Sequence, residues 1–293
     1  MARPAPPDRA IVAADVRRAL AEDLGHEAGE DFAGGDPSAG LIPAQQHATA
    51  ELVTRDDGML CGSAWFAASF HALDAGCRIA FAAADGEPVH AGQRLATVEG
   101  NARALLAAER TALNFLQTLS GTATAARRLV TLVEQLVPRP RAMLLDTRKT
   151  LPGLRYAQKY ATRIGGFQNH RMGLYDRVLL KENHLLAAGS IAAAVGTLRR
   201  DEPAKWIEVE VENEAQLAEA VEAGANRALL DNFPLADLAA VVARWHGRIE
   251  LEVSGGVDAA NLATIAQTGV DYISIGAVTK HLKALDLSLR HLE

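Results

Sequence analysis

The sequence predicts an α/β protein in two parts, a small mixed α/β unit followed by a barrel-like unit of parallel strands and crossover helices. Three observations carry that prediction. The chain has 293 residues, 49% of them hydrophobic, enough for one large core or two ordinary ones. After Pro138 the apolar pattern changes to short strands alternating with helices. Polar residues then recur where those strands stop.

In chain order, Ile11, Val12, Val16, Leu20 and Leu24 fall at helical spacing and predict a helix over 11–24. HATAELVTRDDGMLCG (47–62) alternates like two strands joined by an Asp-Gly turn. SAWFAASFHALDAG reads as an amphipathic helix ending at Gly76, CRIAFAAAD as a strand, and DGEPVHAGQ as a turn. From about 101 to 136 a long helical stretch, broken near Ser120-Gly121, joins the two parts. Beyond it, RAMLLDT, DRVLLKEN, WIEVEVEN, RALLDNF, IELEVSGG and DYISIGA read as strands, with helices over 213–223, 234–245 and 258–267 between the later ones. A doubly wound open sheet would want a switch point and a Gly-rich first turn such as GxGxxG, and the sequence has none.

Composition narrows the function. A net charge of -6 and a pI near 5.9 argue against a general nucleic-acid binder. No run approaches the roughly 20 apolar residues that span a bilayer, and the N-terminal MARPAPPDRA has no apolar core of a leader, so a cytoplasmic protein is expected. Cys61 and Cys77 lie outside any CxxC pattern in apolar surroundings, which favours reduced, buried thiols.

Within this acidic chain, residues 146–181 gather eight Lys/Arg against two Asp, so a small anionic target is expected. Arg148 and Lys149 directly follow an apolar strand, as Lys181 follows RVLL, and guanidinium groups so placed bind carboxylates in bidentate fashion. Arg155, Lys159 and Arg163 fall at i, i+4 and i+8, a solvated or phosphate-facing stripe of a helix. His170, flanked by Asn169 and Arg171, is open to a structural role or to that of a donor or acid.

Lys181, Glu210, Asp231, Ser254 and Ser274 recur at intervals of 29, 21, 23 and 20, each where an apolar strand stops. In a (β/α) barrel the carboxyl ends of the strands share one face, so these residues would meet around one pocket. Glu208, Glu210 and Glu212 alternate with Val in EVEVE and share a strand face, so at least one must meet a cation such as Lys149 or Lys181, or a metal. Glu210 with Asp231 offers oxygens suited to Mg²⁺, or a structural ion pair lines the barrel instead. VSGGV (253–257), read as a strand opening a helix, and SIGA (274–277) one strand later, are either turns or a tandem phosphate cradle.

ERTALNFLQTLSGTAT, DTRKTLPGLR, NHRMGLYD, LLKENH, EVEVEN, LLDNF, SGG and ISIGA occur in the order and spacing of the quinolinate phosphoribosyltransferases, and the chain resembles that family over essentially its whole length. The resemblance implies an N-terminal open α/β sandwich domain over 1–120. A C-terminal α/β barrel, an incomplete TIM-like one, follows over 121–293, its last residues able to pack back on the first domain. It implies transfer of a phosphoribosyl group from phosphoribosyl pyrophosphate (PRPP) to quinolinate, giving nicotinate mononucleotide, pyrophosphate and CO₂ with Mg²⁺, in NAD biosynthesis. It further implies a homodimer in which the partner subunit's N-terminal domain completes each site.

By the same resemblance, Arg148, His170, Arg171 and Lys181 surround the two quinolinate carboxylates, and Arg110 of ERTALNF reaches in from the partner subunit. Lys149 lies between quinolinate and PRPP. Glu210 and Asp231 hold the ribose hydroxyls and Mg²⁺, while Ser254, Gly255, Gly256, Ser274 and Gly276 form the phosphate end. Two positions depart from the family pattern, Phe167 where a third glycine is usual and Tyr175 where a serine is usual. Three rival functions remain: a Schiff-base barrel enzyme using Lys149 or Lys181, a non-catalytic anion sensor, and a neighbouring phosphoribosyltransferase with a different acid.

Overall fold

The computed structural model describes residues 4–25 and 35–292. Along the chain these form α1 (Arg9–Leu24), β1 (His47–Thr54), β2 (Gly58–Met59), α2 (Ser63–Leu73), β3 (Arg78–Phe81), β4 (Pro88–Val89), β5 (Arg94–Asn101) and α3 (Ala102–Glu134). There follow β6 (Met143–Leu145), α4 (Arg155–Ile164), β7 (Val178–Leu180), α5 (Glu182–Ala188), α6 (Ile191–Asp201), β8 (Ile207–Val211), α7 (Glu214–Glu222) and β9 (Arg227–Asp231). The rest is α8 (Leu235–Trp245), β10 (Glu250–Ser254), α9 (Leu262–Gln267), β11 (Tyr272–Ser274), α10 (Ala277–Lys280) and β12 (Leu287–Leu292). The chain divides into two compact units, residues 1–127 with 151–166 and 281–293, and residues 128–150 with 167–280.

In the first unit an antiparallel sheet has the order β12-β1-β5-β3. Its apolar residues, Ala50, Leu52, Leu95 and Val98 among them, share a core with Phe66 and Phe70 of α2 and Leu105, Ala108, Ala112 and Leu116 of α3. Val12, Val16 and Leu20 of α1 join Trp65, Phe115, Leu119 and Tyr160 in a second cluster. Asp85 ties the two together, accepting from the Gly62 and Ser63 N–H groups at the start of α2 and from the Tyr160 hydroxyl.

Two expectations fail here. The Asp-Gly pair does not make a hairpin, because β1 takes its partners from β12 and β5 while β2 pairs with β4. Nor does α3 break at Ser120-Gly121; it runs unbroken for 33 residues. Gly121 serves packing instead, since a Cβ there would stand 2.1 Å from the Lys283 carbonyl. Ser120 exchanges hydrogen bonds with the Cys61 backbone.

In the second unit six parallel strands have the order β6-β11-β10-β9-β8-β7. An isolated parallel bridge between Leu145 and Gln168 continues the β6 edge in the segment that leads to β7. This is the incomplete form of an eight-stranded barrel. On β8, Ile207, Val209 and Val211 are buried on one face; on the other, register aligns Glu208 with Arg227 and Glu210 with Leu229. That polar face continues through Asp231, Glu252, Ser254, Tyr272 and Ser274. Both cysteines are free and buried, and burial holds the Cys77 thiol up at about 11. No helix among the described residues is long and apolar enough to cross a membrane.

Candidate active site

Five parallel strands deliver polar groups to the same end of the sheet because their registers coincide: Ser254 stands opposite Asp231, and Ser274 opposite Leu145 just before Asp146. Lys181, immediately after β7, forms an ion pair from its Nζ to the Glu210 carboxylate on β8. Asp231, at the end of β9, is raised above the usual carboxylate range, first by burial and then by Glu210, while Lys181 and Lys149 pull it back. Two carboxylates and two ammonium groups therefore share one field. Gly276 brings β11 against the loop after β6, where a Cβ would meet Thr147 Oγ1 and Lys149 Cδ, each at 3.0 Å. Gly255 adopts a left-handed φ of 93°, and a Cβ there would meet Asp231 Oδ1 at 3.4 Å.

The cationic end rests on Asp146, which is fully buried. Its Oδ1 accepts from the His170 N–H at 2.9 Å and its Oδ2 from Asn169 Nδ2 at 2.5 Å, pinning the NHR segment beside β6. Arg171 is only 8% exposed, and its guanidinium is lowered from the usual range by burial and by the neighbouring Arg148. Glu208 and Asp176 work in the opposite direction and support the Arg171 charge. Asp176 accepts from the Met172 and Gly173 N–H groups and shapes the loop that follows.

Behind these residues lies a polar interior. His170 Nδ1 accepts from the Arg171 N–H at 2.7 Å. Its Nε2 is 3.0 Å from Glu208 Oε2 and 3.6 Å from Glu252 Oε1, short enough for an ion pair but off the line of a good hydrogen bond. Arg227 Nη1 donates to Glu252 Oε2 at 2.9 Å, with its guanidinium 3.6 Å from the centre of the Tyr272 ring. Glu208 is raised above the usual range, by burial first. Glu252 is pushed up to about 7, by burial and then by Glu208. His170, Glu208 and Glu252 also present three metal-ligand atoms within 4.8 Å of one another, a buried arrangement separate from the Glu210 and Asp231 pair.

Of the residues the sequence singles out, Arg148, Lys149, His170, Arg171, Lys181, Glu210, Asp231, Ser254, Gly255, Gly256, Ser274 and Gly276 all fall in the second unit, at or beside strand ends. Ser274 is buried with its hydroxyl bonded to Glu252, so it belongs to the interior. Arg110 is on α3 in the first unit, exposed. The glycine pair does not open a helix: α9 begins at Leu262, after a turn in which Asp258 accepts from the Ala260 and Asn261 N–H groups. Its amides act from a left-handed turn, not from a helix terminus. The solvated stripe over Arg155, Lys159 and Arg163 is also corrected, since Lys159 is completely buried.

Sequence reading passed over Asp146, Arg227 and Glu252. The signal was present in Glu252, a carboxylate between Leu251 and Val253 in the middle of a strand. Of the departing positions, Phe167 is buried and Tyr175 is 72% exposed.

Comparison with known proteins identifies the family. Residues 36–120 match the family model for the quinolinate phosphoribosyl transferase N-terminal domain, and residues 122–290 that for its C-terminal domain. The chain is 39% identical to a probable nicotinate-nucleotide pyrophosphorylase (carboxylating) of Bacillus subtilis, covering 91% of both chains. It is also 39% identical to the nicotinate-nucleotide pyrophosphorylase (carboxylating) of Mycobacterium leprae, over 94% of this chain and 95% of that one. The solved nicotinate-nucleotide pyrophosphorylase of Francisella tularensis superposes over all of both chains with a TM-score of 0.91 and 43% identity.

Proposed function

The chain belongs to the quinolinate phosphoribosyltransferase family, and from that membership we propose how its strand-end site works. It transfers the phosphoribosyl group of PRPP to the ring nitrogen of quinolinate, giving nicotinate mononucleotide, pyrophosphate and CO₂ in NAD biosynthesis. The observation that carries the reading is the field shared by Lys149, Lys181, Glu210 and Asp231 at the strand ends, in the same unit as the neighbouring cations Arg148 and Arg171.

Quinolinate and PRPP together bring about seven negative charges near neutral pH, counting phosphates as phosphate esters. Arg148, Arg171 and Lys181, with His170 beside them, take the two carboxylates. Lys149 stands between the substrates. Ser254, Gly255, Gly256 and Gly276 receive phosphate through backbone amides, with Ser274 behind them. Glu210 and Asp231 face the ribose and stabilise positive charge developing at C1 as pyrophosphate leaves. Once the ring nitrogen is ribosylated, its positive charge stabilises the electron pair left at C2 as the 2-carboxylate departs as CO₂, and that carbon then takes a proton from solvent, so no separate electron sink is required. Holding two mutually repelling anions in line supplies much of the rate.

The oxygens of Glu210 and Asp231 suit Mg²⁺, and Asp231, raised by burial and then by Glu210, is a carboxylate whose charge a bound cation would favour. Mg²⁺ bound there would screen the pyrophosphate leaving group. We further propose a cytoplasmic homodimer in which Arg110 of the partner subunit reaches each site. A Schiff-base barrel fits less well, because a Lys181 ammonium held by Glu210 is a poor nucleophile. The test is an assay of quinolinate, PRPP and Mg²⁺ for nicotinate mononucleotide, with nicotinate as comparison acid. Stoichiometric product from quinolinate is expected; turnover of nicotinate alone would overturn the reading.

A further inference from the structure

We propose that His170 is a positioning residue acting through Arg171. Its Nδ1 accepts from the Arg171 N–H while Nε2 turns inward toward Glu208, and this anchor on the Arg171 backbone aims the guanidinium at a substrate carboxylate. What Arg171 binds rests on the proposed function; the arrangement of the ring does not.

The logic starts from a donor that has no choice. A backbone N–H only donates, so the 2.7 Å bond from Arg171 N to His170 Nδ1 requires a lone pair on Nδ1. Any ring proton then sits on Nε2, which faces Glu208 and Glu252, both completely buried. Neither Glu208 oxygen has an aligned hydrogen-bond donor among the described residues, whereas one Glu252 oxygen is taken by Arg227. Arg227, Arg171 and Arg177 oppose the Glu208 charge, and the ring edge carrying Nε2 faces the same carboxylate at 3.0 Å. A third tie, the His170 N–H to Asp146 Oδ1, fixes the backbone on the other side of the ring. With Nδ1 engaged by the Arg171 N–H and Nε2 turned inward toward Glu208 and Glu252, the effect of His170 passes through the peptide of the residue that follows.

Two glutamine-family replacements separate this role from direct contact. In His170→Asn the side-chain carbonyl can stand where Nδ1 stands and still accept from Arg171. In His170→Gln the amide reaches toward Glu208 but leaves the Arg171 N–H without its acceptor. The full-length protein should show a quinolinate KM raised roughly 10- to 100-fold for the Gln variant, the loss expected from a small misplacement of a binding group, and clearly less for the Asn variant. The PRPP KM should stay within about twofold for both, since uniform loss of structure would move the two together. Equal losses in both variants, or a fall in kcat with the quinolinate KM unmoved, would overturn the proposal.

Nitrogen-15 spectra of the histidine rings give a readout that needs no turnover. One histidine, identified by its disappearance in the His170 variants, should be neutral with its proton on Nε2. A wild-type ring protonated on Nδ1, or a stoichiometric divalent metal bound by His170, Glu208 and Glu252, would sink the idea. Should the wild-type protein make no nicotinate mononucleotide, the proposed function fails by itself and the tautomer still judges this inference.

Discussion

At the scale of single residues, the site is governed by charges held where water is scarce. Glu252 is the clearest case: it is completely buried, and its carboxyl stands at about 7 against an ordinary 4.5. An acid whose value is raised by folding binds its proton more tightly in the folded state. Its protonated form therefore favours folding, and stability falls as pH rises from the ordinary value toward the raised one. Glu252→Gln, neutral throughout, should remove that slope. Thermal unfolding compared at about pH 5 and about pH 8 should shift in favour of the variant at the higher pH, by about 3 kcal/mol at most. Parallel pH profiles for the two proteins would mean that Glu252 keeps its charge through other contacts. Glu210, on the same strand face as Glu208, pairs instead with a cation, Lys181, that arrives from the end of the adjacent strand.

At the scale of elements, glycine positions separate packing from propensity. Gly121→Ala would drive a Cβ into the Lys283 carbonyl and should lower stability in denaturant titration by about 1 to 3 kcal/mol, the cost of overpacking. Gly196, inside α6 with open space around its would-be Cβ, should give the reverse sign, a gain of about 0.5 to 1 kcal/mol on substitution by Ala. If both lost stability alike, close approach would not be what Gly121 provides. The same contrast explains what the sequence could convey. All six strands of the second unit were legible, because each is a short apolar run closed by a polar residue, and Glu210, Asp231 and Ser254 could be placed from that punctuation. The continuity of α3 was not, because the Ser-Gly pair that looks like a break is satisfied by partners distant in sequence, Cys61 and Lys283. The pairing of β1 with β12 was hidden for the same reason, its partner lying at the far end of the chain. Arg227 and Glu252 were overlooked because their ion pair forms only when β9 and β10 lie side by side, with the Arg227 side chain reaching from its register partner Glu250 along the strand to Glu252.

At the scale of the whole molecule, the proposed dimer makes a prediction that no single chain can satisfy. Inactive Arg110→Ala and inactive Lys149→Ala proteins, mixed under conditions that exchange subunits, should regain part of the activity, since one hybrid site would hold both native residues. Verified exchange without recovery would confine each site to one chain. The wider account depends on an acidic molecule concentrating positive charge at one end of a parallel sheet to receive a pyridine diacid. Calorimetric binding of quinolinate and of nicotinate, to the wild-type protein and to Arg171→Ala, tests that most directly. Quinolinate should bind the wild-type protein far more tightly than nicotinate, and Arg171→Ala should cost about 2 to 5 kcal/mol of quinolinate binding, the loss expected when one partner of a buried charge pair is removed. Equal affinity for the two acids, or quinolinate binding untouched by the substitution, would contradict the account.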